Sequence, residues 1–311
     1  MTEDEGLGFI PAAWVHARGE LALHRPQVMA IVNVTPDSFF DGGRLHDGTA
    51  PLVDATLEHA RRCVHAGADL VDVGGESTRP GAEPVDPQRE RQRVVPAIEA
   101  LRADPALREV PISIDTRRAS VAEAAIAAGA SIVNDISGLA DPQMAPLCAR
   151  TGVGLVIGHL RGEPRTMQRE VHFSHLLTEV TQELSTRVHQ AIEAGVSRAS
   201  IVVDPGIGFG KTAQHSAALV AASGWLREAT GCPVLVGASR KSFLGAITGR
   251  EAPNRLAGSL AAALVAVDRG ASVLRVHDVG DTVQALQVSR SIREAFDTVA
   301  QRGASPREAL H

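Results

Sequence analysis

A short phrase recurs along this 311-residue chain and limits what it can fold into. A stretch with helical character ends at a glycine, and an apolar, β-branched run then ends in a polar residue. Ala66-Gly67-Ala68-Asp69 leads into LVDVGG, Ala128-Gly129-Ala130-Ser131 into IVNDIS, and Arg269-Gly270-Ala271-Ser272 into VLRVHD. Thr151-Gly152-Val153 and Ala194-Gly195-Val196 open similar passages. A glycine just past a helix takes the left-handed conformation at little cost, so each phrase reads as a helix stop that feeds a strand. The pattern predicts strands at 28–33, 69–73, 110–114, 131–134, 153–157, 200–203, 233–236 and 272–275. Most are near-continuous apolar runs, as expected of parallel strands covered on both faces. Helical patterns fill 50–66, 87–103, 117–128, 142–151, 174–194, 213–229, 254–269 and 279–299.

Eight strand–helix units in one chain of this length predict an α/β fold, a (β/α)8 TIM barrel in a single domain. A doubly wound open sheet is the alternative arrangement of the same units. No Pro/Ser-rich linker divides the chain. Residues 1–27 read as an N-terminal extension, 28–300 as the barrel and 301–311 as a C-terminal tail.

Composition narrows the function. The net charge of −5 and the absence of Tyr argue against a nucleic-acid binder, although a local positive pocket fits within that balance. Cys63, Cys148 and Cys232 are too few and too scattered for a disulfide framework or a zinc site, and read as buried thiols of a reducing compartment. The acidic start, MTEDEGLGF, lacks the character of a signal peptide, and no apolar run reaches the length of a membrane span. A cytoplasmic location is expected, with small-molecule substrates and neither nucleic acid nor membrane as partner.

A barrel puts its chemistry at strand C-terminal ends and in the loops that follow. Every predicted strand here ends in a polar or ionisable group: Asn33, Asp72, Asp115, Asn134 with Asp135, His159, Asp204, Ser239-Arg240-Lys241, and Arg275 with His277. One such residue is commonly a helix cap; eight converging on one mouth describe a polar pocket. Asp115, Asn134 and Asp204 suit a flat heterocycle rich in N–H donors. Arg79, Lys241, Arg275 and His277 bring positive charge suited to phosphate or another anion. Asn33 beside Asp37 and Asp41 offers oxygen ligands to Mg²⁺, although Asp37 and Asp41 fit equally well as turn residues around Pro36 and Gly42-Gly43. The stretch Gly206–Thr212 approaches the phosphate loop GxxxxGK[ST], but Pro205 stands where its first glycine belongs. Its glycines instead let backbone approach a ligand, with Phe209 as an apolar wall.

NVTPDSFFDGG at 33–43, DVGGESTRPGAEPV at 72–85, SIDTR at 113–117 and NDISG at 134–138 together resemble dihydropteroate synthase. So do DPGIGFGKT at 204–212, GASRKSFLG at 237–245 and RVHDV at 275–279. The resemblance implies a TIM barrel that joins 6-hydroxymethyl-7,8-dihydropterin diphosphate to 4-aminobenzoate, releasing diphosphate with Mg²⁺ present. It further implies a sulfonamide target and a homodimer. By resemblance, Asp115, Asn134, Asp204 and Lys241 hold the pterin, while Arg275, His277 and Asn33 engage the diphosphate, with Asn33 the residue near Mg²⁺. Thr78, Arg79, Pro80, Phe209, Ser239 and Lys241 shape the aminobenzoate site. Lys241, Arg275, His277 and Asp115 carry the catalytic roles. One passage departs from the family: after strand five, Gly158-His159-Leu160 stands where Met-His-Met is usual. A pterin-dependent methyltransferase and a catalytically silent pterin-binding paralogue are the alternatives. The small residues Ala257, Gly258, Ala261 and Ala262 fit packing on a partner or, as expected here, on the barrel itself.

Overall fold

The computed structural model describes residues 10–34, 49–76, 85–162, 166–168 and 171–302. Eight parallel strands run β3 (Gln27–Asn33), β4 (Leu70–Gly74), β5 (Ile112–Asp115), β6 (Ile132–Asp135), β7 (Gly154–Gly158), β8 (Ile201–Asp204), β9 (Leu235–Val236) and β10 (Val273–Val276). Their order in the sheet is β8-β7-β6-β5-β4-β3-β10-β9. A parallel bridge between Val203 and Val234 joins the two outer members, so the sheet closes into the expected barrel. The helices around it are α1 (Thr49–His65), α2 (Pro87–Ala103), α3 (Ala119–Ala127), α4 (Met144–Thr151), α5 (Leu176–Glu193), α6 (Ala213–Ala221), α7 (Ser223–Thr230), α8 (Ser242–Thr248), α9 (Leu256–Asp268) and α10 (Val279–Arg302). Among the described residues, no helix is long and apolar enough to cross a membrane.

Successive strand side chains point to opposite faces, and that alternation sorts these apolar runs into two cores. Val71, Val73, Ile112, Ile114, Leu155, Ile157, Ile201 and Val203 face outward and join the buried layer beneath the helices. Met29, Leu70, Ile132, Val156, Val202, Leu235 and Val273 face inward and fill the N-terminal half of the barrel. The next inward positions of the same strands are polar: Asp72, Asn134, Asp204 and Arg275 follow Leu70, Ile132, Val202 and Val273 by two residues. The barrel is thus an apolar plug below and a polar pocket above.

The N-terminal segment supplies part of that plug. Strands β1 (Ala13–His16) and β2 (Gly19–Ala22) form an antiparallel hairpin under the barrel. It inserts Trp14, which is fully buried and donates from Nε1 to the Ser200 carbonyl at 2.9 Å. Gly154 makes the room: a Cβ there would lie 3.0 Å from Trp14 Nε1. The hairpin is tied to the barrel by Arg25, which donates to both Asp69 oxygens at 2.5 and 3.0 Å. Sequence reading gave this segment no structure.

Two other elements differ from expectation. The predicted helix 213–229 is two helices, α6 and α7, broken at Ala222, with Gly224 in the first turn of α7 where a Cβ would lie 2.8 Å from the Arg269 carbonyl oxygen. The short helix α8, directly after Lys241, falls where no element was predicted.

Candidate active site

Arg275 lies at the centre of the pocket. Its Nε donates to Asp72 Oδ2 and its Nη2 to Asp115 Oδ2, each at 2.6 Å. Asp72 is fully buried and Asp115 nearly so. Burial alone would lower the Arg275 pKa, but the two carboxylates outweigh it and hold the guanidinium charged. Asn134 Nδ2 donates to the same Asp72 oxygen at 3.0 Å. That leaves Asn134 Oδ1 and Asp72 Oδ1 buried without a hydrogen-bond partner. Orphaned acceptors of this kind cost about 1–3 kcal/mol each, a cost that a ligand carrying N–H donors removes.

Asp115 and Asp204 end their strands at the mouth of the pocket. Burial pushes Asp115 up to about 7, with Arg275 opposing and Asp72 and Glu90 adding to the rise. Asp204 is also raised by burial, although it accepts from the Gly206 amide at 2.7 Å. Gly206 has φ +71, and a Cβ there would lie 1.9 Å from the His159 carbonyl oxygen, so only glycine permits this turn. Lys241 faces both carboxylates and Arg275. Burial, with Arg275 adding to it, lowers its pKa to about 8 against the pull of Asp204 and Asp115. Its Nζ stands 3.9 Å over the Phe209 ring centroid, a cation–π contact.

The preceding residue explains how Lys241 is aimed. Arg240 adopts φ +56, its amide donates to Ser259 Oγ at 2.9 Å, and its guanidinium pairs with Asp278. Turned outward in this way, it leaves Ser239 and Lys241 facing inward. Ser239 Oγ accepts from the His277 amide at 3.2 Å and lies 3.0 Å from the ring Nδ1. Burial, followed by the charges of Arg275 and Arg240, depresses His277 to about 3. Sequence reading expected a cation at His277; burial and its neighbours instead leave the ring uncharged at neutral pH.

Around this centre are groups to which sequence reading assigned no role beyond naming His159 and Asp72 among the polar strand ends. Lys211 is buried; its Nζ lies 2.9 Å from His159 Nδ1 and donates to the Phe209 carbonyl at 2.9 Å. Burial brings Lys211 down to about 7. His159 Nε2 in turn stands 3.0 Å from Glu183, which Arg161 also binds. This network fixes the floor under Phe209. On the other side Arg118 donates to Glu76 at 2.8 Å and pairs with the buried Glu90. Strand phase alone exposes Asp72, two residues after Leu70; nothing local marks Lys211.

Gly158, the departure noted in the sequence, packs flush on the neighbouring backbone. A Cβ at that position would lie 2.6 Å from Ile136 Cα. No side chain fits, and Leu160 instead joins the apolar cluster of Ile136, Met167 and Phe209. Asn33 ends β3, half-buried, beside the pocket. The described residues thus bring together Asn33, Asp115, Asn134, Asp204, Phe209, Ser239, Lys241, Arg275 and His277 on one end of the barrel. Thr78, Arg79 and Pro80, like Asp37 and Asp41, lie outside the described residues.

Residues 29–277 match the family of pterin binding enzymes. The dihydropteroate synthase of Neisseria meningitidis serogroup B is 43% identical over 280 residues, covering 88% of this chain and 95% of that protein. A Xanthomonas albilineans dihydropteroate synthase solved with 4-aminobenzoic acid superposes with a TM-score of 0.80 at 44% identity, covering 88% of this chain and 95% of that one. The Burkholderia cenocepacia enzyme complexed with 7,8-dihydropteroate gives 0.81 at 42% identity, covering 93% and 99%. A probable bifunctional folylpolyglutamate synthase/dihydropteroate synthase of Haloferax volcanii is 43% identical over 277 residues, 88% of this chain. The chain spans 32% of that longer protein.

Proposed function

This chain belongs to the dihydropteroate synthase family, and from that membership and the pocket geometry we infer which of its residues join the pterin diphosphate to 4-aminobenzoate. The observation that carries the assignment is one acceptor-rich pocket, with Asp115, Asp204 and the orphaned Asn134 Oδ1 facing a single ammonium, Lys241. A reduced pterin presents several N–H donors and one carbonyl, the complement of that set. The three acceptors take the ring N–H groups and Lys241 donates to the carbonyl.

In the reaction the C–O bond between the pterin methylene and the diphosphate breaks, its electron pair leaving with the diphosphate. The amino nitrogen of 4-aminobenzoate forms the new C–N bond and gives up a proton to solvent or to the departing diphosphate. Charge grows on the leaving group, where His277 donates a hydrogen bond and the remaining face of Arg275 supplies charge. The electron-rich ring, held by carboxylates, stabilises the positive charge left on the methylene. The weak aniline nucleophile needs positioning more than a base, and Phe209 with Ser239 walls its site.

Mg²⁺ fits the donors present. Asn33 offers one hard amide oxygen, and among the described residues no cluster of three carboxylate, His or Cys ligands forms a separate cage. Mg²⁺ commonly binds through one or two protein groups plus phosphates and water. Asn33 would hold it, and when bound it neutralises charge on the leaving diphosphate.

Dihydropteroate formation from the two substrates, with and without Mg²⁺, tests this reading. Asp204→Asn is expected to lower kcat/KM by about 10- to 100-fold, the worth of a charge-assisted hydrogen bond. Unchanged kcat/KM in that variant would remove Asp204 from the pterin site. The two buried titrations also set a pH profile. Protonation of Asp115 below about 7 removes an acceptor, and deprotonation of Lys241 above about 8 removes the donor. A narrow bell in kcat/KM is expected, rising through about 7 and falling through about 8. A profile flat from pH 6 to 9 would contradict both roles.

The homodimer rests on α10. Val288, Ile292, Phe296 and Val299 are all more than half exposed along one face of that helix. On α9, Ala257 and Ala261 are exposed beside Val265, while Ala262 is buried against the barrel. An apolar stripe with flat small residues beside it suits an isologous contact. Ile292→Arg is expected to give a monomer in sedimentation velocity; a dimer unaffected by it would place the interface elsewhere. A reducing, cytoplasmic location agrees with the three buried, unpaired cysteines.

A further inference from the structure

The end of the barrel opposite the pterin pocket contains a second cavity, of about 570 Å³. It opens where the hairpin returns to β3 and the inner face of α10 meets the end of α9. Val28, Val267, Ala271, Val283 and Leu286 give it an apolar floor. The rim is basic, with Arg25, Arg227, Arg290 and Arg293 around it, and no Asp or Glu among its lining residues. In a chain of net charge −5 this is a local reversal of sign.

The four arginines are not equally free. Arg25 is committed to Asp69 at 2.5 Å. Arg290 Nε stands 3.7 Å from Glu294, both side chains being more than half exposed, a pair that holds little in water. Arg227 differs: its Nε is buried and, among the described residues, has no hydrogen-bond partner. Arg227 lines the cavity half-buried and, among the described residues, has no carboxylate partner, so an anion bound there would meet an uncompensated cation. The cavity volume lies in the usual range for small-molecule sites, about 300–1,000 Å³.

We propose that this cavity is a binding site for a small organic anion with at least two negative charges, phosphate or carboxylate, on an apolar body. The body rests on the Val28–Leu286 floor and the charges meet Arg227, Arg290 and Arg293. The site is separate from the pterin pocket: Val28 lines it, and Asn33 lies five residues up the same strand, roughly 16 Å away at the rise of a β-strand. It is also separate from the dimer face. Successive helix residues turn by about 100°, which puts Leu286, Arg290 and Arg293 about 100–180° round α10 from Val288, Ile292 and Val299, with Phe296 at the edge of the stripe about 60° from Arg293.

The test is calorimetric titration of the full chain saturated with 7,8-dihydropteroate, so that the pterin pocket is filled. The probes share one body: 1-naphthyl phosphate, naphthalene-1,4-dicarboxylate and, as the neutral control, 1-naphthol. One dianion per chain is expected, bound at least about tenfold more tightly than 1-naphthol, and the tighter of the two dianions identifies the preferred head group. Arg227→Met and the double variant Arg290→Gln/Arg293→Gln should each weaken the dianion about tenfold or more while dihydropteroate formation persists, which certifies their fold. Lys241→Ala should leave the dianion affinity unchanged. Equal affinity for 1-naphthol would reduce the site to an apolar crevice. Affinity indifferent to the arginine variants, affinity lost in Lys241→Ala, or no binding at millimolar probe would overturn the proposal. Failure of the catalytic assignments would appear separately, in the product assay of the unsubstituted protein.

Discussion

Arg275→Ala is expected to lose turnover by about a thousandfold or more and to lose about 3–5 kcal/mol of folding stability, because one guanidinium neutralises two buried carboxylates. Both losses come from the same contacts. Without Arg275, Asp72 and Asp115 stand in the pocket as neighbouring anions with one counter-charge, Lys241, left to face Asp115. The variant escapes by taking up a proton, so the carboxyl pKa in the folded state rises further above its unfolded value. A folded state that binds more protons than the unfolded one loses stability as pH rises through the folded-state pKa. The stability deficit of Arg275→Ala should therefore be smaller at pH 5 than at pH 8, as read by urea denaturation. Adding Asp72→Asn should recover part of it, since the two sites are in contact and their effects do not add. An equal deficit at both pH values would mean that Arg275 is not the counter-ion of this pair. Arg275→Lys keeps a charge but cannot bridge both carboxylates, and should fall between the two.

The second large effect lies at the other end of the barrel. Trp14→Ala should cost about 3–5 kcal/mol, the range for emptying a large buried side chain, while kcat of the folded protein stays unchanged. The ring fills the space left by Gly154 and stacks no polar group of the site. Trp14→Phe should restore most of the packing and lose only the Nε1 bond to the Ser200 carbonyl, about 1 kcal/mol. Denaturation midpoints and turnover measured on the same samples decide it: a drop in kcat with stability intact would give the hairpin a role in the chemistry.

These two residues show where sequence reading ends. Arg275 was recognisable as a pocket residue because it follows an apolar strand, yet its partners are about 160 and 200 residues away in the chain. Trp14 sits in a segment whose two strands are four residues each, too short to leave a clear alternation. The α6–α7 break is marked only by Gly224, a lone glycine that a helix tolerates, and α8 has seven residues, too few for a clear period. His277 was counted as a cation from its residue type, but burial and two neighbouring guanidinium groups leave it neutral.

The order of strands and helices, their parallel direction and the end of the barrel that carries chemistry are determined by the sequence itself. Apolar runs, glycine stops and polar strand ends are local signals, set by backbone geometry within a few residues. The tertiary structure alone decides which carboxylates share Arg275, which side chains are neutral at pH 7, and that a tryptophan from the N-terminal segment plugs the barrel. Those properties depend on distance and burial between residues far apart in the chain, and they exist only once the barrel closes.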